Sequence, residues 1–131
     1  MATVMVVDDN PTMVEMLSMA LNLFGHNALA VYSGEEALQR IPGDRPDLVL
    51  LDLTMPGIDG YETLRRLRAM PAAESLPVFV ITAAAEIDLE ERVLLAGGTG
   101  LLHKPIQMET LADIVDSCSR AEHLELQRSA A

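Results

Sequence analysis

Short apolar runs alternate along the chain with longer stretches in which apolar residues recur every three or four positions. The runs Thr3–Val7, Asn27–Val31, Leu48–Leu51, Val78–Thr82 and Gly100–His103 predict five strands. Most are continuous Val, Ile and Leu rather than apolar–polar alternation, which suits strands buried on both faces of a parallel sheet. Helical signals fill the gaps. Asn10 followed by Pro11 predicts an N-cap and first turn for a helix over Pro11–Leu23, closed at Gly25. Ser33-Gly34-Glu35-Glu36 reads as a capping box opening a short helix that ends before Pro42. A third helix, Tyr61–Ala69, turns Leu64 and Leu67 inward and Arg65, Arg66 and Arg68 toward solvent. Ile87–Ala96 stops at the Gly97-Gly98 pair. The last helix, from about Met108, sets Met108, Leu111, Val115 and Cys118 on one stripe.

Five strands alternating with five helices predict a single α/β domain, a doubly wound five-stranded parallel sheet in the order 2-1-3-4-5. In such a sheet ligands bind beyond the carboxyl ends of strands one and three. A chain of 131 residues has room for one domain, here 1–121, and a short polar tail, 122–131.

Charge narrows the function. Nine Lys and Arg against twenty Asp and Glu give a formal charge of −11, which repels phosphate backbones and argues against autonomous nucleic-acid binding. The single cysteine, Cys118, excludes an internal disulfide framework and is expected as a small core residue. Thr3–Val7 runs straight into Asp8 and Asp9 without a basic leader, and no apolar run reaches the roughly 20 residues of a membrane helix. The expectation is a cytoplasmic protein that does not engage membranes. His26, His103 and His123 lack metal-ligand spacing and are expected at the surface, and the eight dispersed methionines are expected as core filler.

The unusual residues fall at the strand ends. Asp8 and Asp9 follow strand one, Asp52 follows strand three, Thr82 ends strand four, and Lys104-Pro105 follows strand five. Three carboxylates brought to one mouth repel one another, and a hard divalent ion with oxygen ligands, Mg²⁺, would join them. The carboxylate of Asp52 is then a candidate nucleophile able to form an acyl-phosphate. Thr82 can hydrogen-bond one phosphoryl oxygen and Lys104 can neutralise another, a clamp suited to phosphoryl transfer. Lys104 is the only lysine, the other eight basic residues being arginine, and it stands where a compact, flexible point charge is wanted. Simpler roles exist for the same residues. Asp8-Asp9 can be a turn whose acids favour a helix N-terminus, and Thr82 a β-branched strand residue. Asp59-Gly60 reads as a turn and Gly57 as a loop residue, both shaping the mouth.

Val6-Val7-Asp8-Asp9-Asn10, Asp47 to Gly57, Asp59-Gly60, Ile81-Thr82-Ala83 and Lys104-Pro105, in this order and spacing, resemble the receiver domain of two-component response regulators over roughly residues 3 to 120. The resemblance implies a flavodoxin-like (βα)5 fold and a signalling switch rather than a turnover enzyme. It implies that Asp52 accepts a phosphoryl group from a sensor histidine kinase or histidine phosphotransfer protein. Asp8, Asp9, Asp52 and the backbone carbonyl of Thr54 would hold Mg²⁺. Thr82, Ala83 and Lys104 would bind the phosphoryl group, with Lys104-Pro105 a cis peptide. A downstream protein would read the switch on the face of the fourth helix, fifth strand and fifth helix, with the domain a monomer or weak dimer.

Three positions depart from common patterns of that family. Leu101 stands where an aromatic often swings inward, which moves the expected switch to Thr82 and the 83–91 segment. Thr54 and Ala84 occupy sites that tune loss of the phosphoryl group. A haloacid-dehalogenase-like phosphatase is the competing expectation, but Thr54 replaces its second Asp and no cap domain fits. A flavin domain is disfavoured because Asp8-Asp9-Asn10-Pro11 replaces a phosphate-binding loop. The chain reads either as a stand-alone receiver or as one domain of a longer protein.

Overall fold

Alternation along the strands decides which helices each residue meets. The computed structural model describes residues 1–118, so His123 and the polar tail 122–131 lie outside the described residues. The strands β1 (Thr3–Val7), β2 (Asn27–Val31), β3 (Leu48–Asp52), β4 (Val78–Thr82) and β5 (Gly100–His103) form one parallel sheet in the order β2-β1-β3-β4-β5. Val4, Val6, Leu48, Leu50 and Ile81 point to one side, where α1 (Pro11–Leu23) and α5 (108–118) bring Val14, Leu17, Leu21, Leu111 and Val115. Met5, Val7, Val49, Leu51, Val78 and Val80 point to the other. There α2 (Gly34–Asp44), α3 (Gly60–Arg68) and α4 (Leu89–Leu95) bring Ala37, Ile41, Leu64, Leu67, Leu89 and Val93. The residues of both cores are almost wholly shielded from solvent, and each fully buried Leu or Val contributes about 1.5–3 kcal/mol of transfer free energy. Among the described residues no helix is long and apolar enough to cross a membrane.

The predicted caps form. Asn10 accepts the Thr12 amide ahead of Pro11, and Ser33 accepts the Glu36 amide. Glu36 does not reach back to complete the capping box; its carboxylate lies 3.9 Å from Arg40. The α1 and α4 ends are Schellman closures. His26 N–H donates to Leu21 O and Gly98 N–H to Val93 O, with Gly25 and Gly97 at φ 85° and 108°.

Several expectations are corrected. Helix α2 does not end before Pro42 but runs to Asp44. Pro42 lies in the last turn, where its missing N–H costs one hydrogen bond, and buried Ile41 holds the turn on the core. Arg40 bonds both Asp44 and the Ala30 carbonyl, and left-handed Arg45 closes the helix on Ile41 O. Strand β3 gains Asp52, which pairs in register with Ile81. Helix α3 spans Gly60–Arg68 rather than Tyr61–Ala69, because Asp59 caps it by accepting the Glu62 amide. Helix α4 starts at buried Leu89, leaving Ile87 fully exposed.

Three side chains also differ. Arg68 is not on the solvated face: its guanidinium donates to the carbonyls of Gly97, Ala73 and Leu76, tying α3 to the loops that lead into β4 and β5. His26 is buried rather than at the surface, its Nδ1 accepting the Ala2 amide and its Nε2 lying 3.6 Å from Asp116. Met108 is exposed, so the inward stripe of α5 is Leu111 and Val115, with Cys118 partly buried at its end.

Candidate functional site

The parallel register brings the carboxyl ends of β1, β3, β4 and β5 to one edge of the sheet. A cavity of about 360 Å³ opens there, lined by Asp8, Asp9, Asn10, Asp52, Thr54, Thr82, Ala83, Ala84 and Lys104. Every candidate gathered from the strand ends is therefore at one mouth. Asp8 and Asp52 are buried, Asp9 is exposed, and one oxygen from each lies within 4.8 Å of the others. Lys104 reaches across from beyond β5, its Nζ 3.3 Å from Asp8 Oδ2 and 3.6 Å from Asp52 Oδ1. The Lys104-Pro105 bond is cis.

Local backbone fixes each group. Asp8 continues the ladder by donating its N–H to Val31 O, and its Oδ1 accepts the Asn10 amide at 3.0 Å. Asp52 ends β3, with the Thr54 amide 3.5 Å from Oδ1. Thr82 is buried at the end of β4 and its Oγ1 accepts the Ala84 amide at 3.0 Å, so the hydroxyl proton is free to donate elsewhere.

The loop after β3 is braced from two sides. Glu35, at the start of α2, accepts the Ile58 amide at 3.1 Å, and that bond holds its carboxyl below the usual range. Gly60 is more than a turn residue. A Cβ there would lie 2.7 Å from both the Asp52 carbonyl oxygen and Leu53 Cα, so only glycine lets α3 sit against the backbone that carries Asp52. Gly57, at φ 79°, is the loop's left-handed turn.

Crowding shows in the electrostatics. Burial and then the Asp8 charge push the Asp52 carboxyl up to about 6, against the opposing pull of Lys104 and the Thr54 amide. Three carboxylates against one ammonium leave two negative charges at the mouth, all on oxygen donors. That donor set and deficit fit a hard dication.

A family model described as the response regulator receiver domain matches residues 4–116. The chain belongs to the receiver domains of response regulators. This receiver is 35% identical over 122 residues to the response regulator MprA of Mycobacterium ulcerans, covering 93% of the chain and 52% of that protein. It thus spans about half the length of the curated relatives it matches. Among solved structures it is similar to the chemotaxis protein CheY4 of Vibrio cholerae, at a TM-score of 0.84 and 28% identity, over 90% of this chain and 98% of that one. It also resembles the signal receiver domain of a histidine kinase from Syntrophus aciditrophicus, at a TM-score of 0.82 and 30% identity, covering 90% and 89% of the two chains. Receiver domains are signalling switches rather than turnover enzymes, and response regulators partner with sensor histidine kinases. Membership of this family sets aside the phosphatase and flavin alternatives.

Two residues do more at the site than their sequence context predicts, Asn10 in the lining of the mouth and Gly60 behind Asp52. Asn10 was legible only as a helix cap, although the same amide-rich turn clamps Asp8. Leu101, at the position where the family often has an aromatic, is partly buried against the α2–α4 side of the core, away from the mouth lining.

Proposed function

We propose that the domain is a Mg²⁺-dependent phosphoacceptor in which Asp52 takes a phosphoryl group from a phosphohistidine of a sensor kinase or histidine phosphotransfer protein. The observation that carries this reading is the Lys104 ammonium bridging Asp8 and Asp52 across a mouth with room for a phosphoryl group. An Asp52 oxygen attacks phosphorus, the N–P bond breaks, and the imidazole leaves and takes up a proton. Asp52 Oδ2 makes no hydrogen bond among the described residues and is the free oxygen for that attack, while Lys104 and the Thr54 amide orient Oδ1. Lys104 and the Thr82 hydroxyl are placed to hold phosphoryl oxygens, and small Ala83 leaves them space. Asp8, Asp9, Asp52 and the Thr54 carbonyl would hold Mg²⁺, which supplies positive charge to the transferring group.

The proposal is tested with a small phosphodonor such as acetyl phosphate and intact-mass measurement. Wild type is expected to gain one phosphoryl group with Mg²⁺ and none with EDTA. Lys104→Met is expected to slow the gain by about 10²–10³-fold, the loss associated with removing one charge-stabilising donor. An undiminished rate in that variant, or an EDTA-insensitive gain, overturns the assignment. The output reading goes with it: a downstream protein would bind the α4–β5–α5 face, and 1–121 would be the signalling unit.

A further inference from the structure

A second, smaller cavity of about 210 Å³ lies beside the mouth, between the loop after β3 and the segment leading from β4 to α4. The two cavities share Thr54 and Ala84. Three side chains close the outer one. Arg92, on α4, donates to Glu86 Oε2 at 2.9 Å, and its guanidinium sits 4.9 Å from the centre of the Tyr61 ring on α3. The Tyr61 hydroxyl is buried with no hydrogen-bond partner among the described residues. Nothing in the phosphoacceptor chemistry uses this group, and a buried orphan hydroxyl needs an explanation.

We infer that Glu86, Arg92 and Tyr61 form a latch that holds the 83–88 segment in its present arrangement and so regulates how readily the Asp52 site is occupied. The inference rests on Asp52 being the phosphoacceptor and names the regulation of that same site. Glu86 lies two residues beyond Ala84, whose amide is held by Thr82 Oγ1. When the Thr82 side chain turns to carry its hydroxyl toward a phosphoryl oxygen, Oγ1 leaves the Ala84 amide and the segment is released. Glu86 moves with it, and the Arg92 contact to Tyr61 opens.

The latch contains opposed contributions. The exposed ion pair and the cation–π contact favour the present arrangement modestly. The orphan hydroxyl disfavours it, because release gives Tyr61 access to water. Occupancy of the site and release of the segment are linked, so whatever strengthens the present arrangement weakens binding of a phosphoryl mimic, and the converse. These are positioning residues; none touches the reacting atoms.

The test measures beryllofluoride affinity of the full chain with Mg²⁺, and amide signals of residues 83–88 without metal. Arg92→Ala and Glu86→Ala are each expected to tighten binding about three-fold. Tyr61→Phe is expected to weaken it about five-fold. In the metal-free protein the 83–88 signals of Arg92→Ala should move toward their beryllofluoride-bound positions, and those of Tyr61→Phe away from them. A merely structural role would shift melting temperatures and leave both readouts unchanged, and that result overturns the latch. Glu86 is exposed, so Glu86→Ala keeps the test valid should Arg92→Ala fold poorly. Wild type that does not bind beryllofluoride would instead defeat the phosphoacceptor reading, whereas wild-type binding with equal affinities in all variants defeats the latch alone.

Discussion

Asp52→Asn is expected to abolish phosphoryl acceptance and, in the same protein, to raise stability in metal-free buffer above pH 6. The first effect follows from replacing the attacking carboxylate with an amide. The second follows from the crowding that makes the site competent. Burial and Asp8 raise the folded-state carboxyl of Asp52 from 3.8 to about 6. Between about pH 4 and 6 the folded protein therefore holds a proton that the unfolded chain has released, and above 6 the folded state carries a charge it disfavours. Stability linked to Asp52 is thus greatest below pH 4 and falls as pH rises through 6. Asn carries no such charge. The difference between 3.8 and about 6 corresponds to about 3 kcal/mol, and water at the open mouth screens it to about 1 kcal/mol. Thermal melts in EDTA at pH 7 should place Asp52→Asn about 3 °C above wild type. At pH 4 the gap should close. A variant less stable than wild type at pH 7 would mean that the Lys104 pairing outweighs the crowding.

Gly60→Ala is expected to damage both fold and site. The added methyl would meet the Asp52 carbonyl oxygen and Leu53 Cα at 2.7 Å and the Leu53 carbonyl oxygen at 3.0 Å. These are backbone atoms of a central strand and its exit, and no rotamer change relieves the contact. Gly60 is also held there, its N–H donating to Leu53 O at 2.9 Å. The start of α3 must move out, or the β3 end must move in, at a cost of about 3 kcal/mol. A fall in melting temperature of about 9 °C checks this, with slower phosphoryl acceptance as the companion readout. By contrast the Cβ of Gly43→Ala, inside α2, meets nothing within 4 Å, and that variant should melt at or slightly above wild type, since Ala favours the helix over Gly.

The parts of the fold legible in the sequence are those fixed by local patterns. Four strands have the bounds their apolar runs predict, and Asn10-Pro11 and Gly97-Gly98 mark helix ends through backbone chemistry that operates within a few residues. The site residues converge because parallel strands in this order must end together, so Asp8, Asp52, Thr82 and Lys104 were placed by topology alone. What escaped depends on contacts distant in sequence. Arg68 stands beside solvated Arg65 and Arg66 in the sequence, yet it is four residues from buried Leu64 and flanks the inward stripe, which lets it reach the Gly97 carbonyl 29 residues away. His26 follows the left-handed Gly25, a position that folds back on the helix it terminates. Pro42 misled because a proline in a last turn costs less than one in a helix interior when a buried neighbour anchors that turn. The Tyr61–Arg92 contact joins two helices and had no sequence signal.

Locating the phosphoryl group is the most direct test of the account. Wild-type protein treated with acetyl phosphate and Mg²⁺ can be reduced with borohydride, which converts an aspartyl-phosphate to homoserine, and the position read by peptide sequencing in the mass spectrometer. Homoserine at position 52, and at none of 8, 9 or 59, is the predicted result. Homoserine at any of those other positions, or a stable phosphoryl group on His103 in its place, would contradict the central claim that Asp52 is the phosphoacceptor.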